Sequence, residues 1–414
     1  MGQSSKTVVD SEMELLQSKE GLIKTVRIGI YGGAFNPPHR GHTSSSIEAA
    51  RQLRLDKLII VPTGEPPHKK LAENSASALQ RLEMTRIAFA GMDIADVSDI
   101  ELRRPGESYT IDTVREIKKL YPDAELFLLM GTDMFLNVHE WKDAKALLRL
   151  ITPVVMHRGG DFENAAQQLK RLHETGCAAQ TVENPAIAIS SSELRSKISQ
   201  RLKTWHIDDS VYSYIIESGF YLAKPNIDWL RRQAYMMLES KRILHVAGCE
   251  ETAVRLAERW GADVTETREA AILHDITKRL DEEAQFAMCI EYGIETDELE
   301  RATWKMLHAK TAAAYAARHF CVSKAVEYAI KWHTTGCADM TLLEKIIYLA
   351  DYIEPNRSFE GVEEMRRFAY YDIDKAIIMG MEMSIEDLIS RGISLHPNTG
   401  GALEFLKEKV MLER

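Results

Sequence analysis

The sequence predicts an α/β doubly wound parallel sheet in its first half, followed by an all-α helical domain in its second. Three observations carry this. From Val26 to about Ser190, β-rich runs alternate with helical patterns, which calls for parallel strands joined by right-handed crossovers. After Phe220 the strand signal stops and almost every stretch has helical periodicity. Between the two lies Leu222-Ala223-Lys224-Pro225-Asn226, where proline ends one helix and Asn-Ile-Asp can start another. The expected organisation is therefore an extension over 1–24, an α/β domain over 25–224 and a helical domain over 225–414.

Taken in order, Met1 to Lys24 are polar and charged without an apolar h-region, so a flexible extension is expected there and a secretory signal is not. Strands are expected at Val26–Tyr31, Leu58–Thr63, Glu125–Met130 and Thr152–His157. Helices are expected at Thr43–Leu53, Ala78–Ala90, Ile111–Leu120 and Phe162–Thr175. Sheets of this kind bind ligands at the carboxyl ends of their strands. One such end carries Gly32-Gly33-Ala34-Phe35-Asn36-Pro37-Pro38-His39-Arg40-Gly41-His42. Gly32 and Gly33 let backbone approach phosphate oxygens closely, and a helix N-terminus favours anionic charge. His39 and His42, three residues apart, share a helix face and can both donate to a phosphoryl group.

Composition bounds the partners. The chain has 414 residues, 45% hydrophobic and 28% charged, with a net charge of −10. Residues 1–224 hold 28 basic and 29 acidic side chains, a balance of −1, and residues 225–414 hold 24 and 33, a balance of −9. Neither half supplies the basic field that nucleic acid demands, and no apolar run approaches the ~20 residues of a membrane helix. Five scattered cysteines without a C-x-x-C pair suit a reducing cytoplasm. Oligomeric state is not readable; a homodimer stays open.

The helical half carries His245, His274-Asp275, His308, His333 and Asp351. Four imidazoles and two carboxylates suit iron, manganese or zinc in a catalytic role. Such groups can hold two ions with a bridging water for in-line attack on phosphorus. Each candidate follows an apolar helical run, as expected of ligands projecting into a bundle.

His39-Arg40-Gly41-His42 resembles the HxGH signature of the nucleotidylyltransferase superfamily. Pro66-Pro67-His68-Lys69, Ser108-Tyr109-Thr110-Ile111-Asp112-Thr113, Gly131-Thr132-Asp133 with Trp141, and Ile189-Ser190-Ser191-Ser192-Glu193-Leu194-Arg195 narrow the likeness. Together these segments resemble bacterial nicotinate-nucleotide adenylyltransferase over residues 26–222. That resemblance implies adenylyl transfer from ATP to nicotinate mononucleotide, with Mg2+ bridging phosphate oxygens. It implies that His39 and His42 contact the triphosphate within the loop of Gly32, Gly33 and Phe35, with His42 nearest the reacting phosphorus. It gives Ser191, Ser192 and Arg195 the outer phosphates and Asp133 a ribose hydroxyl. Thr110 and Trp141 would hold the nicotinate ring and Lys69 the acceptor phosphate, although a packing tryptophan and a solvated lysine are the plainer alternatives. Ala34 and Asn36 depart from the Thr and Asp common in the family.

Ile243–Gly248, Ala271–Lys278, Trp332–Gly336 and Tyr348–Pro355 resemble the HD superfamily, in its YqeK-like branch of symmetrical diadenosine tetraphosphate hydrolases, over residues 226–395. The resemblance implies a dinuclear iron (or manganese or zinc) centre held by His245, His274, Asp275, His308, His333 and Asp351. Diadenosine tetraphosphate would be cut to two ADP, with Lys278 and Arg357 as phosphate contacts. A sensing module without turnover, or a hydrolase for another nucleotide, remains open at this point.

Overall fold

The computed structural model describes residues 25–65, 75–157, 162–184, 187, 189–202 and 204–412. The extension expected over 1–24 and the Pro66–Lys69 segment, with Lys69, lie outside the described residues. The described residues up to 194, with 205–211, form one compact unit; those of 195–204 and 212–412 form a second.

In the first unit the strands are β1 (Arg27–Gly33), β2 (Lys57–Pro62), β3 (Ala95–Val97), β4 (Glu125–Gly131), β5 (Thr152–His157) and β6 (Gln180–Glu183). They form one parallel sheet in the order β3-β2-β1-β4-β5-β6. The middle strands read as nearly unbroken apolar runs, Leu58 to Pro62 and Leu126 to Met130 being buried throughout, because helices cover both faces of a parallel sheet. Ile30, Val61, Val114, Leu128 and Val155 meet in the resulting core. Two strands exceed those expected from sequence. β3 and β6 are short edges of three and four residues with largely open faces, so neither has an apolar run to betray it.

Helices α1 (Arg40–Gln52), α2 (Ala78–Phe89), α3 (Thr110–Leu120), α4 (Thr132–Leu136), α5 (Ala144–Leu150) and α6 (Phe162–Glu174) connect the strands. β1 and β4 are neighbours from which successive strands leave in opposite directions. This is the topological switch point, where doubly wound sheets open a crevice for ligands. The loop after β1 and the Gly131–Asp133 turn after β4 both end there.

Helix α7 (Ser191–Ser199) begins in the first unit and ends in the second, and α8 (Asp209–Ser218) likewise bridges the 211/212 division. The second unit is otherwise all helix: α9 (Ile227–Met237), α10 (Ser240–Trp260), α11 (Val264–Leu273), α12 (Glu282–Tyr292), α13 (Glu298–Ala302) and α14 (Leu307–His319). They are followed by α15 (Lys324–Trp332), α16 (Leu342–Ile353), α17 (Val362–Phe368), α18 (Ile373–Ser390) and α19 (Pro397–Leu412). Side-chain caps start these helices, at Asn226 where sequence predicts a start and elsewhere. The Asn226 side chain accepts from the Asp228 and Trp229 amides, and Asp263 from Glu266. Every residue of α16 from Leu343 to Ala350 is buried, Glu344 and Lys345 included, so this helix is packed on all sides. Among the described residues no helix is long and apolar enough to cross a membrane.

Candidate active sites

In the first unit the loop after β1 is pinned from three sides. The Arg81 guanidinium, 1% exposed, donates to the Ala34 carbonyl at 2.8 Å and to the Thr63 and Gly64 carbonyls at 2.6 and 3.0 Å. Asn36 Nδ2 donates to Ser75 Oγ at 2.9 Å, and Ser191 Oγ donates to the Pro37 carbonyl at 3.0 Å. Arg81 thus joins the loops leaving β1 and β2. It escapes sequence reading because an arginine inside a helix pattern gives no sign of being buried.

The loop delivers His39 as the residue before α1 and His42 into its first turn. The two rings lie 3.7 Å apart between centroids, tilted by 35°. Gly41 permits this: a Cβ there would sit 2.9 Å from His39 Nδ1 and 3.0 Å from its Cε1. His42 Nδ1 accepts from the His39 backbone amide at 3.2 Å, so a neutral His42 carries its proton on Nε2 and offers it as a donor. Phe35 is 1% exposed and meets His42 edge-on at 5.1 Å. Its ring therefore props His42, while Gly32 and Gly33 end β1 beside β2, the Gly33 carbonyl accepting from the Thr63 amide at 2.9 Å. The Arg40 amide is taken by the His206 carbonyl at 2.7 Å, so the expected anion site at this helix start has at least one amide fewer.

The other expected contacts lie as follows. Asp133 is exposed in the first turn of α4, at the carboxyl end of β4. Ser191, Ser192 and Arg195 are the first, second and fifth residues of α7. Thr110 opens α3. Trp141 is half-buried against the sheet core. Its neighbour Lys142 lies 3.8 Å above the Tyr109 ring and 3.8 Å from Asp112, so the Tyr109-Thr110 and Trp141 segments converge.

In the second unit, α10, the α11 C-terminus, α14, the α15 C-terminus and α16 converge their imidazoles and carboxylates. Asp275 is fully buried, and each of its oxygens faces a different pair of imidazoles. Oδ1 lies 3.1 Å from His308 Nε2 and 3.7 Å from His333 Nε2. Oδ2 lies 3.3 Å from His274 Nε2 and 3.7 Å from His245 Nε2. Asp351 Oδ1 stands 3.0 Å from His245 Nε2. All six residues expected as ligands from sequence thus meet in one cluster.

The ring orientations are set from behind. His274, His308 and His333 each point Nδ1 at the backbone carbonyl three residues earlier, at 2.7, 2.6 and 2.7 Å. His245 points Nδ1 at Glu354 Oε1, 3.1 Å away. Donation of Nδ1–H leaves the Nε2 lone pairs facing inward, the arrangement that presents imidazole to a metal. A neutral imidazole has one N–H, yet His245 has carboxylates at both nitrogens. His274 Nε2 and Asp275 Oδ1 are buried without a hydrogen bond, and His308 Nε2 lies 3.2 Å from His333 Nε2. Inward lone pairs and carboxylates in this density fit divalent cations.

Burial alone would raise Asp275, but the His274, His308 and His333 imidazoles outweigh it and hold the carboxyl well below the usual range. Asp351 is likewise held low, His245 and His274 outweighing its burial. Burial pulls His308 down to about 4 and lowers His333, which keeps both rings neutral, the form that ligates.

Lys278 and Arg357 stand at the rim. Lys278 Nζ is 3.0 Å from His308 Nε2 and 3.5 Å from Asp275 Oδ1, and Arg357 donates to Asp351 Oδ1 at 2.6 Å. Arg242, which sequence reading missed, also closes on Asp275. So was Glu354, 1% exposed and holding His245 and the Asn356 amide. Gly248 makes room for it, since a Cβ there would lie 2.5 Å from Glu354 Oε2.

A doubly wound sheet with a histidine-bearing loop at its switch point has the form of a nucleotide-binding scaffold, and the helical cluster has a donor set that could hold metal ions. The cytidylyltransferase-like family profile matches residues 30–197, and the HD domain profile matches residues 242–356. The chain is 36% identical over 198 residues to a probable nicotinate-nucleotide adenylyltransferase of Desulfitobacterium hafniense, covering 47% of this chain and 95% of that one. It is 39% identical over 200 residues to the corresponding protein of Carboxydothermus hydrogenoformans, covering 47% and 98%. A solved "predicted HD superfamily hydrolase involved in NAD metabolism" from Clostridium acetobutylicum is 36% identical, covering 45% of this chain and all of that one, with a TM-score of 0.44. The chain belongs, through its first half, to the nicotinate-nucleotide adenylyltransferase family, and that domain is fused to an HD domain.

Proposed function

We propose that the chain is bifunctional. Its first unit transfers the adenylyl group of ATP to nicotinate mononucleotide, and its HD domain hydrolyses diadenosine tetraphosphate to two ADP. The observation that carries the first reading is the paired His39 and His42 at the switch point, in a chain 36–39% identical to probable enzymes of that name. The acceptor phosphate is ionised at neutral pH, so no strong base is needed. Its oxygen attacks the α-phosphorus, the bond to the β-phosphate oxygen breaks, and pyrophosphate leaves. His42 donates from Nε2 to the phosphoryl oxygens on which charge accumulates. His39 backs that ring, Ser191, Ser192 and Arg195 hold the outer phosphates together with Mg2+, and Asp133 orients the ribose. Thr110 and Trp141 receive the nicotinate ring; Lys69 receives the acceptor phosphate.

Asp275 carries the second reading, because its two oxygens serve separate imidazole pairs and that geometry suits two ions. His245, His274, Asp275, His308, His333 and Asp351 hold them. When bound, iron, manganese or zinc ions supply Lewis-acid charge for attack of water on phosphorus. Lys278 and Arg357 neutralise the bridging phosphates. Chromatography of diadenosine tetraphosphate incubated with the metal-loaded protein tests this. ADP alone, lost in His274→Ala, is expected. AMP with ATP means cleavage at a different phosphorus, and no turnover contradicts the hydrolase reading.

A further inference from the structure

Cys249 lies one helical turn after His245 on α10, and its Sγ is 3.4 Å from His245 Nε2. It is 1% exposed. A ring nitrogen of each of His245 and His274, an Asp351 oxygen and this sulfur all lie within 4.8 Å of one another. His274 Nε2, also 1% exposed, makes no hydrogen bond there. With Nδ1–H of His245 directed to Glu354, its Nε2 lone pair faces both the sulfur and the Asp351 carboxylate.

We propose that Cys249 is a thiolate ligand of the metal centre, joining His245, His274, Asp351 and the Asp275 oxygen that faces them at one of its two positions. The inference rests on the metal-centre reading of the HD domain and adds to it a sulfur donor. As the sulfur–metal bond forms, the thiol proton leaves to solvent, as for any coordinating thiol. Two imidazoles, two carboxylates and one thiolate suit zinc or iron, and the sulfur disfavours magnesium and manganese, which prefer oxygen. The ligand set thereby selects a softer ion at this position than at the one formed by His308 and His333.

The test is titration of the chelator-stripped full chain with Co2+ alone, followed by absorption spectroscopy. The wild type is expected to develop visible ligand-field bands and a near-ultraviolet thiolate-to-cobalt charge-transfer band. Cys249→Ser keeps nearly the same side-chain volume; it is expected to retain the ligand-field bands, to lose the charge-transfer band and to bind Co2+ about tenfold or more weakly. Mn2+ affinity is expected to change little. Ligand-field bands without charge transfer in the wild type, or charge transfer surviving in Cys249→Ser, would leave the metal centre standing and overturn the thiolate. Failure to take up Co2+ at all would overturn both.

Discussion

Single residues divide into those whose role is a property of residue type and those whose role is created by what surrounds them. His39, His42, His274 and Asp275 are legible in sequence because ordered histidines beside a glycine turn or an aspartate are chemically unusual. Arg81, Glu354, Cys249 and Arg242 are not, because a buried guanidinium, a histidine-orienting carboxylate and a facing thiol exist only once distant segments meet. Gly41 belongs to both groups. It is part of the sequence signature, but the reason for it is the His39 ring 2.9 Å from where a Cβ would stand. Gly41→Ala is expected to shift His39 and its partner ring by a few tenths of an ångström to an ångström. Adenylyl transfer should then fall by about 100-fold, the cost of misplacing a reacting group on that scale, while denaturant unfolding changes by less than about 1 kcal/mol because alanine favours a helix. Unchanged turnover would show that the ring pair does not act at the phosphorus.

Elements were legible in proportion to how much apolar surface they bury. β1, β2, β4 and β5 are central and announce themselves as apolar runs; β3 and β6 are short edges and do not. Helix starts follow local chemistry and so were readable at Asn226. Element stability also supports the chemistry. Helix α16 holds Asp351 in its last turn, and its first turn is closed by a capping box. The Thr341 hydroxyl accepts from the Glu344 amide, and Glu344 accepts from the Thr341 amide at 2.7 Å. Thr341→Ala is expected to cost about 1 kcal/mol, read as a lower unfolding midpoint of the metal-free protein. A midpoint unchanged or raised would mean that packing alone fixes this helix.

At the scale of the whole molecule, the proposed reading gives the chain two chemistries of phosphorus on two unlike scaffolds. The α/β unit works by positioning and hydrogen-bond donation at a strand-end crevice. The helical unit gathers four imidazoles and two carboxylates into one buried cluster, which on that reading holds divalent cations. No residue is shared between the two clusters, so substitutions in one should leave the other intact. The most direct measurement is product chromatography of one mixture containing ATP, nicotinate mononucleotide and diadenosine tetraphosphate, with wild type, His42→Ala and Asp275→Asn in parallel. The account predicts that His42→Ala loses nicotinate adenine dinucleotide while still releasing ADP from the tetraphosphate, and that Asp275→Asn does the reverse. Loss of both products in either folded variant, or survival of both in either, would contradict it.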